Sequence, residues 1–357
     1  MFGRCAILRL YVWRSGRFAK GNTVSFLLKL PLLAAGLGLI GFLSAAFAPA
    51  HADEFNVRRC VNMGNALDAP TEGEWGHTID LDSFARIRAA GFDTVRIPVR
   101  WSAHVNIADD IDRKFIARVD EVINAALAQQ LNIVLNVHHF EALMINPRGH
   151  SERLVHIWKQ LAYYYQDLPA SVSFELINEP NGALEGERMR QLQADLITTI
   201  RETNPTRTLI LGGEDWSNIT TLNTNFISPD RNIVYTFHYY DPFDFTHQKA
   251  PWTGPNGPKE TREWGTSRER QQVREDMRKA RQFSLQTGRG IFLGEFGAYE
   301  LAPEGSRREY MRAVSAEAQA AGIGWCVWNF ASSFPLFDNG TKQWVPGQLE
   351  ALGLRAN

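Results

Sequence analysis

From residue 55 onward the chain alternates, again and again, between short aliphatic or β-branched runs and longer stretches with helical periodicity. The strand-like runs fall at residues 59–63, 94–98, 132–137, 172–177, 208–212, 233–238, 291–295 and 324–328. Helical patterns lie between them at 80–90, 112–129, 151–166, 187–203, 267–287 and 306–321, with a closing helix at 348–354. The fifth connection, after Gly213, is short and irregular. Strands separated by helices pair in parallel, because each crossover returns the chain to the same end of the sheet. Eight such units predict an α/β fold, a (β/α)8 TIM barrel forming a single domain over 53–357. The competing architecture is an open doubly wound sheet. No glycine-rich phosphate loop follows the first strand, which argues against it. There is no internal repeat, low-complexity segment or interdomain linker.

Residues 1–52 stand apart. They carry Arg4, Arg9, Arg14, Arg17, Lys20 and Lys29 and no acid, so the rest of the chain is net acidic although the whole has charge −1. No long basic patch remains in that body, which argues against nucleic acid as a partner. The basic stretch runs into an apolar segment, 30–48, and ends in Ala50-His51-Ala52, the small-x-small pattern of signal peptidase cleavage. The segment reads as a signal peptide or, left uncleaved, as a membrane anchor with its positive flank cytoplasmic. Either way the body is expected to be exported, periplasmic or extracellular. Membrane contact is expected only if residues 30–48 are retained. Cys5 lies in the leader. Cys60 and Cys326 sit far apart in strand-like runs and read as buried free thiols, since cysteine packs as a small hydrophobe.

Two carboxylates carry the chemistry. Glu179 closes the run Ser173-Phe-Glu-Leu-Ile-Asn-Glu-Pro180, and Glu295 closes Ile291-Phe-Leu-Gly-Glu-Phe-Gly297. Each follows an apolar strand and is ended by a turn residue, so each is presented where a strand exits into a loop. A carboxylate beside apolar strands costs free energy unless it has partners or a task. One acid and one base or nucleophile are the minimal equipment for hydrolysing a glycosidic bond. In a barrel the site lies at the strand ends. Those ends present Asn62, Asn65, Arg96, His138, His139, Asn178, Glu179, Asp215, Trp216, His238, Tyr240, Glu295 and Trp328. Arg96 and Tyr240 are candidates to keep Glu295 ionised, although Arg96 also suits a purely structural ion pair. Alternation places His138 and His139 on opposite faces, one in the site and one in the wall. A metal site from His138, His139, His238 and a glutamate is an alternative without ligand spacing to support it. Trp75, Trp101, Trp216, Trp252 and Trp264 are read as exposed rings that line sugar subsites. The long insertion from Tyr239 to Trp264 is read as functional because loops of that length are rarely idle.

These segments resemble glycoside hydrolase family 5, of the Glu–Glu barrel clan. Leu176-Ile-Asn-Glu-Pro180 is similar to that family's acid/base strand and Gly294-Glu-Phe-Gly297 to its nucleophile strand. The resemblance implies a functional set of Arg96, His138, Asn178, Glu179, His238, Tyr240, Glu295 and Trp328. A closer resemblance, from about residue 57 onward, is to a thermophilic endoglucanase branch that often cleaves both β-1,4-glucan and β-mannan. It is carried by Asn62–Gly76, Val95–His104 and Phe237–Gln248. It implies sugar contacts from Asn65, Asp68, His139 and His247. The branch usually has Glu where Asp68 stands and an acid where Asn329 stands.

The expectation is a retaining endo-β-glycanase acting on β-1,4-glucan, with Glu179 as acid/base and Glu295 as nucleophile, needing neither metal nor cofactor. Substrate contacts are expected from Asn65, Asp68, His139, Trp216, His247, Trp252 and Trp328. The partner is a β-linked polysaccharide or oligosaccharide, and the protein is expected to be monomeric. β-Mannan and mixed-linkage or β-1,3-glucan are the next substrates. A glycan-binding protein without catalysis is the reading from another class.

Overall fold

A computed structural model describes residues 55–223 and 227–355. The expected leader, residues 1–52, lies outside the described residues. Eight strands close into a parallel barrel in sequence order, with the last pairing to the first: β1 (Arg59–Asn62), β2 (Thr94–Val99), β3 (Asn132–Val137), β4 (Val172–Glu175), β5 (Leu209–Gly212), β6 (Ile233–Tyr239), β7 (Gly290–Phe296) and β8 (Gly324–Val327). Wrapped on both faces, β2 and β6 are buried along their whole length. This is why they read as near-continuous apolar runs rather than as alternating ones.

The helices are α1 (Ser83–Ala89), α2 (Arg113–Ala128), α3 (Glu141–Ile145), α4 (Pro147–Tyr164), α5 (Gly186–Arg201), the short turns α6 (Glu214–Ser217) and α7 (Phe243–Thr246), then α8 (Ser267–Thr287), α9 (Glu304–Ala320) and α10 (Gln348–Ala351). Their local causes are plain. Asp112 caps α2 through Lys114 N–H, and Val119, Val122, Ile123 and Ala126 form its buried stripe. Thr266 and Glu269 make a reciprocal capping box on α8, which ends at left-handed Gly288. Helix α4 starts four residues earlier than its periodicity indicates, because Asn146 caps Gly149 N–H and Pro147 suits the first helical position. A small antiparallel pair, β9 (Phe337–Asp338) with β10 (Gln343–Trp344), was not legible as strand.

Inside the barrel, Cys60, Val134, Ile210, Val234, Phe292 and Cys326 form an apolar layer. Two residues further along the same strands stand Asn62, Asn136, Thr236 and Gly294, on the same inward face by the period of two. The apolar layer closes the floor and the polar layer above it opens toward the strand ends. Cys60 and Cys326 are not free thiols. They are in register on β1 and β8, 4.1 Å apart at Cα, and form a disulfide. The 266-residue separation conceals the pair. Barrel closure makes the first and last strands neighbours and brings the two thiols together.

Candidate active site

Arg96 is the hub of the polar layer. It is fully buried, and all five of its N–H groups are used. Nε donates to Glu175 Oε2 at 2.7 Å and Nη2 to Glu175 Oε1 at 2.8 Å, a bidentate pair. Nη2 also donates to Asn178 Oδ1 at 2.7 Å, and Nη1 donates to Glu295 Oε1 at 2.6 Å and Asn62 Oδ1 at 2.8 Å. Arg96 therefore fills both of its expected places, the structural ion pair through Glu175 and the functional one through Glu295. Asn62 is held in turn by Gly294 O and Val327 O, which ties the hub to β7 and β8.

The second oxygen of Glu295 accepts from Tyr240 Oη–H at 2.9 Å. A register shift between β6 and β7 places His238 opposite Glu295. The residue squeezed out is Gly294, where a Cβ would lie 2.5 Å from Thr236 Oγ1 and 2.9 Å from His238 Nε2. Bulges of this kind re-aim side chains beside active sites. His238 Nδ1 lies 2.7 Å from Glu179 Oε1, and oxygens of Glu179 and Glu295 come within 4.8 Å of each other.

Electrostatics separates the two carboxyls. Burial raises Glu179 to about 7, helped by the negative charge of Glu175 and opposed by Arg96 and by the Asn178 amide. Burial also raises Glu295, against the pull of His238 when its ring is protonated and of Arg96, with Glu179 adding to the rise. Only Glu295 has a cation and a hydroxyl donor on its oxygens, so it is the carboxyl better fitted to stay ionised. Burial lowers both His138 and His238, so both are neutral near pH 7.

Two cavities meet at Glu179. One, of about 590 Å³, is lined by Asn65, Asp68, Trp75, His138, His139, Glu295 and Trp328 among others. The other, of about 550 Å³, is lined by Asp215, Trp216, His238, Asp241 and Phe243 among others. Glu179, Tyr240, His247 and Trp252 border both. The mouth of the barrel is thus a cleft with Glu179 at the join of its arms.

In the first arm Trp328 stacks against His138, centroids 5.5 Å apart and planes 6° from parallel. A Cβ at Gly64 would run into the Trp328 ring, so glycine is required there. Both His138 and His139 face this arm, contrary to the opposite-face expectation. β3 ends at Val137, and strand alternation ends with it. Asp68 borders the arm but is 1% exposed, and its oxygens accept N–H groups of its own loop, Asn65 at 3.1 Å and Ala66 at 2.8 Å. Asn329 Nδ2 donates to Asn65 Oδ1 at 3.0 Å. The two positions that depart from the branch pattern therefore both brace Asn65.

In the second arm Trp216 is 55% exposed and Trp252 is 52% exposed. Asp215, Trp216 and Ser217 follow one another in left-handed backbone, with φ of 51°, 56° and 56°. Three such non-glycine residues in a row cost several kcal/mol on the order of 1–2 each, strain that collects at functional sites. Trp216 N–H donates to Pro180 O at 3.1 Å, which links this turn to the one that carries Glu179. Thr246 Oγ1 donates its one proton to Tyr240 O at 2.6 Å, so at 3.0 Å it accepts from His247 Nδ1–H. His247 is neutral, lowered by burial to about 4, and its Nε2 is left as an acceptor beside the cleft.

The residues expected to converge do so, with two exceptions among the tryptophans. Trp101 and Trp264 are core residues, 0% and 5% exposed. Trp101 donates Nε1–H to Asn136 O and packs on Phe115, and Trp264 packs on Tyr310 and Phe245. The four-residue metal alternative does not form. Among the described residues, His138 and His139 group with Asp68, and His238 groups with Glu179 and Glu295. Sequence reading passed over Glu175, Asn136, Asn218, Asp241, Ser333 and Phe334. For Glu175 a signal existed, an acid in the middle of an apolar strand.

A model of the cellulase family, glycosyl hydrolase family 5, matches residues 52–333. Endoglucanase H of Acetivibrio thermocellus is 33% identical over 270 residues, 75% of this chain and 29% of that protein. Cellulase/esterase CelE of the same organism is 27% identical over 82% of this chain, which spans 38% of that relative. The chain thus covers roughly a third of the length of these relatives. Among solved structures, a hyperthermophilic endo-β-1,4-glucanase in complex with substrate superposes with a TM-score of 0.82 at 39% identity, covering 85% of this chain and 99% of the other. Thermotoga maritima Cel5A with mannotriose gives 0.80 at 37%, over 84% and 98% of the two chains.

Proposed function

This chain belongs to the cellulase family, glycosyl hydrolase family 5, and from that premise we propose that it is a retaining endo-β-glycanase, cleaving β-1,4-glucan with Glu295 as nucleophile and Glu179 as acid/base. The observation that carries the mechanism is the approach of the two carboxyl groups. Their oxygens come within 4.8 Å of each other, an approach that favours direct attack by one carboxylate over the ~6.5–9.5 Å separation with which inverting sites make room for a water. Retaining sites hold their carboxyls about 5–5.5 Å apart.

In the first step Glu295 attacks the anomeric carbon while Glu179 gives its proton to the departing glycosidic oxygen. The glycosyl ester that forms removes the negative charge of Glu295. Glu179 then loses a like-charged neighbour, its affinity for a proton falls, and it becomes the base that deprotonates the incoming water. Water releases the sugar with its configuration retained. Asn178, oriented by Arg96, lies beside Glu179 and is placed to bond the 2-hydroxyl. Trp328 supplies a flat apolar face beneath one sugar. A cleft with arms on both sides of Glu179 suits attack within a chain rather than at its end.

The substrate assignment follows the endo-β-1,4-glucanase likeness, with β-mannan next because a 37% identical relative is solved with mannotriose. Export is the compartment reading that suits both the leader and a structural disulfide, since cytosolic thiols are kept reduced. The test is inactivation by a 2-deoxy-2-fluoro-β-cellobioside, then peptide mapping of the labelled carboxylate and turnover on a glucan and mannan panel. Label on Glu295 is the expected result, and label on another carboxylate would refute the mechanism.

A further inference from the structure

We propose that Glu175 is a positioning residue of this reaction: it turns the Arg96 guanidinium toward Glu295 and takes up part of its charge. The proposal rests on the double-displacement reading above. Glu175 is 1% exposed and lies on β4, four residues before Glu179. It borders neither arm of the cleft, so it touches no substrate. Both of its oxygens are bonded by Arg96, at 2.7 and 2.8 Å.

A guanidinium is planar, and a bidentate carboxylate on its Nε/Nη2 edge fixes that plane. Once the edge is held, Nη1 points at Glu295 and Asn62, and Nη2 keeps its remaining proton for Asn178. Without Glu175 the guanidinium plane would be held by single hydrogen bonds to three residues. Charge is the second consequence. One cation serves two carboxylates, so Glu295 is stabilised as an anion without being fully neutralised.

The groups that face this centre are Asp68 after β1, Arg96 from β2, His138 after β3, Glu175 from β4 and Glu179 after it, His238 and Tyr240 from β6 and the residue after it, and Glu295 from β7. Both histidines are held neutral by burial, and burial and the two cleft glutamates keep Tyr240 protonated. The charges that act on Glu179 are Arg96 and Glu175, those that act on Glu295 are Arg96, Glu179 and His238 when its ring is protonated, and Asp68 also feels Arg96. Glu175 raises Glu179 directly, and Arg96 lowers both Glu179 and Glu295. Removing the Glu175 charge frees Arg96 to act on the other two. Both should then titrate at lower pH.

The experiment measures kcat and KM against pH for wild type, Glu175→Gln and Glu175→Asp on an aryl β-cellobioside, with circular dichroism and melting to verify folding. Glu175→Gln should move the acid limb, set by Glu295, and the alkaline limb, set by Glu179, together to lower pH by about one unit. Its kcat should fall on the order of 10²-fold from misplacement of Arg96, with KM within about twofold. Glu175→Asp keeps the charge but retracts it by one methylene. Its limbs should stay in place while kcat falls about tenfold. A filler of space would lower rate or melting temperature without moving either limb of Glu175→Gln, and that result overturns the proposal. So does a Glu175→Asp enzyme with wild-type kcat or with displaced limbs, and this variant decides the question if Glu175→Gln does not fold. A wild-type enzyme inactive on the aryl glycoside would instead count against the double-displacement reading itself.

Discussion

The Cys60–Cys326 bond lends itself to a quantitative test because the energy of a cross-link and that of two packed thiols scale differently. The bond closes a loop of 266 residues between the first and last strands. In the chain-entropy account, closing a loop of that size removes about 19 cal/mol/K from the unfolded ensemble, or about 5.5 kcal/mol at 25 °C. The unfolding entropy of a barrel with roughly 300 ordered residues is about 0.6 kcal/mol/K near 60 °C. Losing the bond should therefore lower the melting temperature by about 9 °C, and by less if native strain or residual unfolded structure offsets the entropy. The perturbations are Cys60→Ala, Cys326→Ala and the double variant, compared by calorimetry at one scan rate under non-reducing conditions. Either single change breaks the same bond. Each single variant should thus show nearly the whole loss, and the double variant little more, a strong departure from additivity. Two free thiols packed as small hydrophobes predict something else. Each alanine would then cost roughly 1 kcal/mol by lost burial, and the two costs would sum. Additive shifts of a degree or two would refute the disulfide and with it the support it lends to export.

Further outcomes follow from the site. Glu179→Ala should abolish polysaccharide turnover yet still form the glycosyl intermediate from substrates with good leaving groups, and azide should restore turnover as the glycosyl azide, seen by chromatography. Tyr240→Phe removes a hydroxyl donor from the Glu295 anion, so the already raised Glu295 should rise further. The acid limb of kcat/KM should move up by about one unit, with activity lost first at low pH. Trp252→Ala, which deletes a half-exposed ring bordering both arms, should raise KM for oligosaccharides about tenfold and leave the melting temperature within about 2 °C. Residues 53–357 expressed alone should fold and hydrolyse glucan, because every residue of the polar layer lies at Asn62 or beyond. An inactive product would place part of the leader in the fold.

Local regularities determined much of this protein. Apolar runs of four to seven residues between helical stretches located the eight barrel strands, because a strand buried on both faces has little choice but to be apolar. The glutamates were legible for the complementary reason. A carboxylate at the end of such a run is an expensive choice, and Glu179 and Glu295 stand one and two residues before the turn residues Pro180 and Gly297. Tertiary structure decided what closure alone brings together. Cys60 meets Cys326 only because β8 returns to β1. Glu175 reads as an anomaly until the barrel interior sets Arg96 against it. His138 and His139 share a face because β3 stops one residue short of them, and boundaries are the least legible part of a strand. Trp101 and Trp264 look like Trp252 in sequence, yet two turn inward onto aromatic neighbours and one stays at the cleft. Burial of a ring depends on which distant side chains offer it a surface. Spacing along the chain determines the strands and their ends, and long-range packing determines which groups at those ends touch.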